Sequence, residues 1–343
     1  MDAKITKKRL AHMLSYDWVK IIGAIAIAIV VWTLIFTMTA TRITNTQRFV
    51  VSNYLGAYYG NTMSKTEFSY EIIEAESLDN LRGGESMFNT LFDSNLAIGD
   101  GDVMLVPNYP VSRQAKLDED GNEMKDGEGN VIYEISEDTY IEQALARSFS
   151  SFSRLDDTDA QKGYFTQMKE YLAKFYTKVG EESKTFGPLT VSVATFDKDS
   201  LNKTAAEEAF RARIRANKDK RFKKESQIAE GVQQEFKRMQ MYLDAYNTFF
   251  EYAEKGYVAF TDVTVAMTEE FTASGVYGIN LCPNEKTMGS LKEQFFYRDF
   301  DELVTAKDMN VMFMSLEGLD SNFQYENLLF VNSIVKSVCT DLK

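Results

Sequence analysis

The hydrophobic pattern of this chain changes character once, near its start. From Ile21 to Thr41 the run "IIGAIAIAIVVWTLIFTMTAT" holds no charged side chain. At ~1.5 Å per residue, about 21 helical residues reach roughly 31 Å, enough to cross the hydrocarbon layer of a bilayer. Beyond it the apolar positions fall into short runs and periodic stripes. "RFVVSNYLG" at 48–56 and "FSYEIIEAE" at 68–76 have the branched and aromatic character of strands. "MFNTLFDSNLAIG" at 87–99 spaces Phe88, Leu91, Phe92, Asn95 and Leu96 by threes and fours, so it predicts a helix stopped by Gly99. "DVMLVPN" at 102–108 follows as a strand apolar on both faces.

The remainder alternates in the same way. Helices are expected over 140–155 and 160–179, the second with Phe165, Met168, Leu172 and Phe175 on one face, and "LTVSVATF" at 189–196 predicts a strand. A proline-free helical region spans 204–255, where Ile228, Val232, Phe236, Met239, Leu243, Tyr246 and Phe250 form a packing stripe. "VYGINLCPN" at 276–284 and "MNVMFMSLEG" at 309–318 predict buried strands, and "YENLLFVNSIVKSV" at 325–338 a closing helix. Strand, strand, helix, strand is the order of an α/β lobe, and strands at both ends of a helical middle leave mixed α+β as the alternative.

Charge refines this picture in four places. Lys4, Lys7, Lys8, Arg9 and Lys20 flank the apolar run on its N-terminal side, with Trp18 at the position of an interfacial anchor. Basic residues stay on the cytoplasmic side, so 1–20 is expected to be a cytoplasmic arm, 21–41 a single-pass anchor in the cell membrane, and 48–343 an extracytoplasmic domain. A cleaved leader is the competing reading; the run exceeds the usual leader core, and no small-x-small site or lipidation cysteine follows it. The net charge of -13 disfavours nucleic acid as a partner.

The acidic stretch 115–137, "AKLDEDGNEMKDGEGNVIYEISE", has the Asp-Gly and Gly-Asn pairs of tight turns and predicts a hairpin insertion. Asp118, Asp120 and Asn122 match the first half of a calcium loop, but Glu123 stands where a glycine is required, so no metal is expected. In contrast, "RARIRANKDKRFKK" at 211–224 is densely basic. It predicts either a solvated helix face or a contact for an anionic partner through Arg211, Arg215, Lys218, Lys220 and Lys224.

Candidate chemistry is sparse. The single histidine, His12, precedes the apolar run, so a histidine-based triad is excluded from the exported domain. There is no phosphate loop, no dinucleotide fingerprint and no zinc-protease helix. The expectation is a non-catalytic protein without a cofactor. Cys282 and Cys339 either pair, closing a loop of about 58 residues with perhaps ~4 kcal/mol of stabilisation, or act as buried small hydrophobes.

A helix followed by "LAIGDGDVMLVPN" at 96–108 resembles the first lobe of type II extracellular solute-binding proteins, where a small-Gly-Asp corner leads the third strand. "FSYEIIEAE" would then be the second strand, with "SLKEQFFY" at 290–297 and 326–338 as closing helices. The resemblance covers about a third of the chain and implies capture of a small solute, alongside a transporter. Ligands of open α/β sheets bind beyond the carboxyl ends of the strands, which makes Asn53, Tyr54, Asn108 and Tyr109 the candidate contacts. A helical middle where a second gripping lobe is expected supports an alternative, a scaffold or accessory subunit of a membrane complex that binds no solute.

Overall fold

A computed structural model describes residues 7–39, 47–54, 58–59, 67–78, 90, 94, 101–110, 113–135, 138–159, 163–266, 271–287, 295–299, 302–305, 308–314 and 325–339. The chain divides into two units, Met1–Ile43 and Thr44–Lys343. The first is built on one helix, α1 (Lys7–Thr39). Within it Trp18–Thr37 is long and apolar enough to span a membrane, and its large side chains, Trp32 and Phe36 among them, point outward. Thr33 and Thr37 return their hydroxyls to the helix backbone, on the carbonyls of Ile29 and Thr33 (2.8 and 2.9 Å). That satisfies each hydroxyl within the helix itself.

The second unit is a mixed α/β domain around a six-stranded sheet. Its strands are β1 (Arg48–Asn53), β3 (Glu74–Leu78), β4 (Val103–Pro107), β9 (Ala259–Ala266), β10 (Thr272–Asn280) and β13 (Met309–Phe313). The order is β3-β1-β4-β13-β10-β9. β3, β1 and β4 run parallel, with Val51 opposite Ser77 and Val103; β13 is antiparallel to β4, with Val311 opposite Leu105. Three small ladders stand apart from it among the described residues: β2 (Tyr58–Tyr59) with β11 (Phe295–Asp299) and β12 (Glu302–Thr305), β5 (Arg113–Ala115) with β6 (Tyr133–Ile135), and the hairpin β7 (Lys178–Phe186) with β8 (Leu189–Phe196).

Both faces of the central strands are covered, which is why β1, β4 and β13 read as continuous apolar runs. One face carries Phe49, Val51, Val103, Leu105, Val311 and Phe313 into the principal core. There they meet α3 (Tyr164–Ala173), α5 (Glu225–Glu254), α6 (Glu326–Val338) and the inner side of β8. The opposite face, with Met104, Val106 and Met312, packs on Ile141, Ala144 and Leu145 of α2 (Tyr140–Ser148). α4 (Lys203–Ala216) leans on α5 through Phe210 and Ile214 against Val232. Gly231 permits that approach, since a Cβ there would stand 2.4 Å from Cζ of Phe210.

The Gly-Asp corner before β4 is a structural clasp. Asp102 donates its N–H to the Val50 carbonyl (3.1 Å) and accepts the Val50 N–H on Oδ2 (2.8 Å). Its own carbonyl accepts from Met314 N–H (3.0 Å) and Asn327 Nδ2 (3.2 Å), so one residue ties β1, the end of β13 and α6 together. Gly101 has φ +149° and lies against Met314, whose sulfur would be 2.7 Å from a Cβ.

Several sequence expectations need correction. The strand expected from Phe68 begins only at Glu74; residues 67–73 turn, because Tyr70 and Glu71 are drawn into side-chain pairing described below. The helix expected over 160–179 ends at Ala173, and Lys178–Phe186 is a strand whose outward positions are all polar but for Val179. Helix 140–155 stops at Ser148 and continues as a 3-10 turn, Phe149–Ser151. Phe295–Tyr297, expected in a helix, belong to β11; 290–294 lie outside the described residues. Of the helix expected over 87–99, Thr90 and Ser94 are described, both helical, with Ser94 Oγ on the Thr90 carbonyl (2.7 Å).

Candidate functional site

The carboxyl ends of β1 and β4 leave the sheet at the same edge, since the two strands are parallel neighbours. Asn53 closes β1 in full burial, its Nδ2 on Ser77 Oγ (3.0 Å). Tyr54 is buried in the second core beside Tyr140, and its hydroxyl donates to Gln143 Oε1 (3.1 Å). Both side chains are therefore held by packing. Asn108 and Tyr109 are half-buried at the end of β4. The Asn108 N–H donates to the Asp308 carbonyl (3.0 Å), and the Tyr109 carbonyl accepts from Tyr140 N–H (2.8 Å).

That edge carries further amides that the sequence did not single out. Asn280 Nδ2 reaches Asp308 Oδ1 (3.3 Å), and buried Asn310 donates to the Asp308 carbonyl (2.9 Å) while accepting from Thr261 Oγ1 (2.7 Å). Asp308 takes φ +45°, a left-handed conformation tolerated by aspartate, with its carbonyl serving Asn108 and Asn310 and its Oδ1 serving Asn280. Asn108, Tyr109, Asn280 and Asp308 thus form a polar rim at the strand ends.

The basic segment divides in two. Arg213 and Arg221, ordinary members of a charge run by sequence, reach inward to the carboxylate of Glu71. Arg213 also pairs with Glu235 (2.6 Å), and Glu235 takes Arg238 as well (2.6 Å). Arg238 donates to the Tyr242 hydroxyl (3.2 Å), which donates to Glu326 Oε1 (2.7 Å). Glu326 further accepts the N–H (3.1 Å) and hydroxyl of Ser69. A continuous buried chain of charges and hydroxyls therefore joins segment 67–73, α4, α5 and α6.

Burial pushes the Glu71 carboxyl up, but Arg213, Arg238 and Arg221 together draw it below its ordinary value. At Glu326 burial prevails over the Ser69 and Tyr242 hydrogen bonds, and its carboxyl is raised. Burial, then Glu235 and Glu71, likewise raise the Tyr70 hydroxyl. This network was missed because Glu71 and Glu235 look like surface charges. A signal did exist: Glu235 lies three residues after Val232 and four before Met239, on the apolar stripe of its helix.

The other basic residues stay outside. Arg211 binds Glu207 (2.8 Å) and Glu225 (2.7 Å); Arg215 donates to the Arg211 carbonyl (3.0 Å). Arg215, Lys218, Lys220, Lys223 and Lys224 are exposed. Cys282 and Cys339 are both buried thiols of the principal core, and burial raises Cys282 to about 11. In the acidic insertion, β5 (Arg113–Ala115) pairs with β6 (Tyr133–Ile135). There Asp118 Oδ1 accepts from the backbone of Asp120 and Asn122 (3.0 and 2.8 Å), and Asp126 repeats this with Glu128 and Asn130 (2.9 Å each).

No protein-family model, curated protein or solved structure matches this chain.

Proposed function

We propose that the chain is a membrane-tethered, non-catalytic binding module, an α/β lobe of the solute-binding type held outside the cytoplasm by its N-terminal helix. The observation that carries this reading is the parallel order β3-β1-β4, clasped by Asp102, with a polar rim where β4 ends. Strand ends at such an edge are where open α/β sheets take ligands. Asn108 and Tyr109 supply an amide and an aromatic face for a small polar solute. The basic flank of the apolar run, Lys7 and Lys20 included, supports a cytoplasmic N-terminus.

The test is thermal unfolding of the full-length chain in detergent against a library of small solutes. A solute at a hundredfold excess over its Kd adds ~2.7 kcal/mol of stability, and Asn108→Ala with Tyr109→Ala should abolish that shift. A flat library response overturns the reading. One observation favours the alternative of a scaffold or accessory subunit. The helical middle is spent on the domain's own interior, since α5 buries Met239, Leu243, Tyr246 and Phe250 in the principal core. A flat response together with stoichiometric copurification with one membrane complex would favour that alternative.

A further inference from the structure

We propose that the exposed part of the basic segment, Arg215, Lys218, Lys223 and Lys224, is a docking surface for the anionic headgroups of the membrane that holds the N-terminal helix. The inference rests on the anchored reading above and adds where the domain meets the lipid.

The first support is location. The first described residue of the domain is Gln47, whose carbonyl accepts the N–H of Ile73 (2.7 Å). Two residues earlier, Glu71 binds Arg213 at the end of α4 and Arg221 in the loop that follows. The basic loop 217–224 is therefore fastened to the segment that runs beside the point where the chain enters the domain. Residues 40–47 separate that point from the end of α1. At no more than ~3.5 Å per residue, that stretch reaches at most roughly 28 Å, which bounds the length of the tether.

The second support is charge. The acids within and beside the loop are already engaged, Asp219 by Arg221 (2.7 Å) and Glu225 by Arg211 (2.7 Å), which leaves the exposed cations as a net positive surface. The chain as a whole carries -13, so an anionic bilayer repels most of it and attracts this loop. The tether removes the cost of finding the surface, since it holds the loop at high effective concentration. Each basic side chain at an anionic surface then contributes on the order of a fivefold preference. The attraction acts over about one Debye length and fades with salt. The rim at Asn108 and Tyr109 lies at the opposite end of the parallel strands, away from the docking loop.

The experiment reconstitutes the full-length chain into vesicles of phosphatidylcholine alone, or of phosphatidylcholine with phosphatidylglycerol, and maps lysine acetylation by mass spectrometry. Labelling at Lys218, Lys220, Lys223 and Lys224 should fall about fivefold in the anionic vesicles at low salt and recover at high salt, with exposed Lys336 as the unaffected reference. In the variant R215E/K223E/K224E, whose replaced side chains are all exposed, Lys218 and Lys220 should label equally in both vesicles at an unchanged thermal midpoint. Equal labelling of the unmodified chain in both vesicles, or protection that survives the charge reversal, overturns the proposal. Protection by soluble polyphosphate over neutral vesicles, with none from anionic lipid, overturns it in favour of a polymer. A chain that fails to float with neutral vesicles overturns the anchored reading itself, and with it this one.

Discussion

The acidic insertion and the basic segment are comparable runs of charge that the fold treats in opposite ways. Asp118 and Asp126 spend their oxygens on backbone N–H groups two and four residues ahead, in turns exposed to water. Arg213 and Arg221 donate their guanidinium N–H groups to Glu71, a residue more than a hundred positions back in the chain between β1 and β4, and bury the contact. The acidic run is turn chemistry repeated at an eight-residue interval, from "DEDGN" to "DGEGN". The basic run is half scaffold and half surface. Charge density alone therefore says little about what a charged stretch does; the sequence distance to its partners says more.

This contrast can be broken most severely at its buried end. Glu71→Gln weakens the charged hydrogen bonds to two arginines at once, although Arg213 keeps Glu235 and Arg221 keeps Asp219; such bonds contribute about 1.5–3 kcal/mol each, to be read as a fall in the urea midpoint at unchanged slope. Next comes Gly231→Ala, which drives a methyl into the rings of Phe210 and Phe222 where α4 meets α5. Overpacking of this kind costs about 1–3 kcal/mol, and loss of the Phe210 contact should show in near-ultraviolet circular dichroism.

Acid titration sharpens the same comparison. Because the folded value of Glu71 lies below its ordinary 4.5, its contribution is present above that value and lost as pH falls through the lower, folded one. Glu326, raised by burial, works in reverse: its contribution is present below the ordinary value and lost as pH rises through the folded one. A plot of thermal midpoint against pH should therefore lose part of its acid limb in Glu71→Gln. The smallest effect is expected at the exposed end, where Asp118→Ala should move the thermal midpoint by ~1 °C or less.

Elements whose partners are uniform were legible from sequence. β4, β8, β13 and α6 face apolar neighbours along their whole length, and Leu105, Val193, Val311 and Ile334 announced them by period. β7 was not legible, since "KVGEESKTF" follows directly on a helical stripe and shows water a polar face. β9 was not anticipated either, its alternation of Phe260, Val263 and Val265 being broken by Asp262. At the candidate edge the sequence located Asn108 and Tyr109 at the end of β4, but not Asp308 and Asn280. Those join them only because β13 and β10 are laid beside β4 from some two hundred residues away. Long-range register has no local signature.

The position of β4 also governs when this protein can become itself. One flank is β1, a short way back in the chain; the other is β13, some two hundred residues further on. Glu71 similarly waits for Arg213 and Arg221, and the Asp102 carbonyl waits for Met314 and Asn327. A polypeptide delivered N-terminus first must therefore hold its most apolar strands open until residues 309–327 have emerged. Such non-local pairings fold slowly and leave sticky edges uncovered meanwhile. The consequence is a kinetic one: a chain truncated before residue 309 should not yield a smaller working domain but an aggregation-prone precursor, and β13 with α6 acts as the latch that closes this domain.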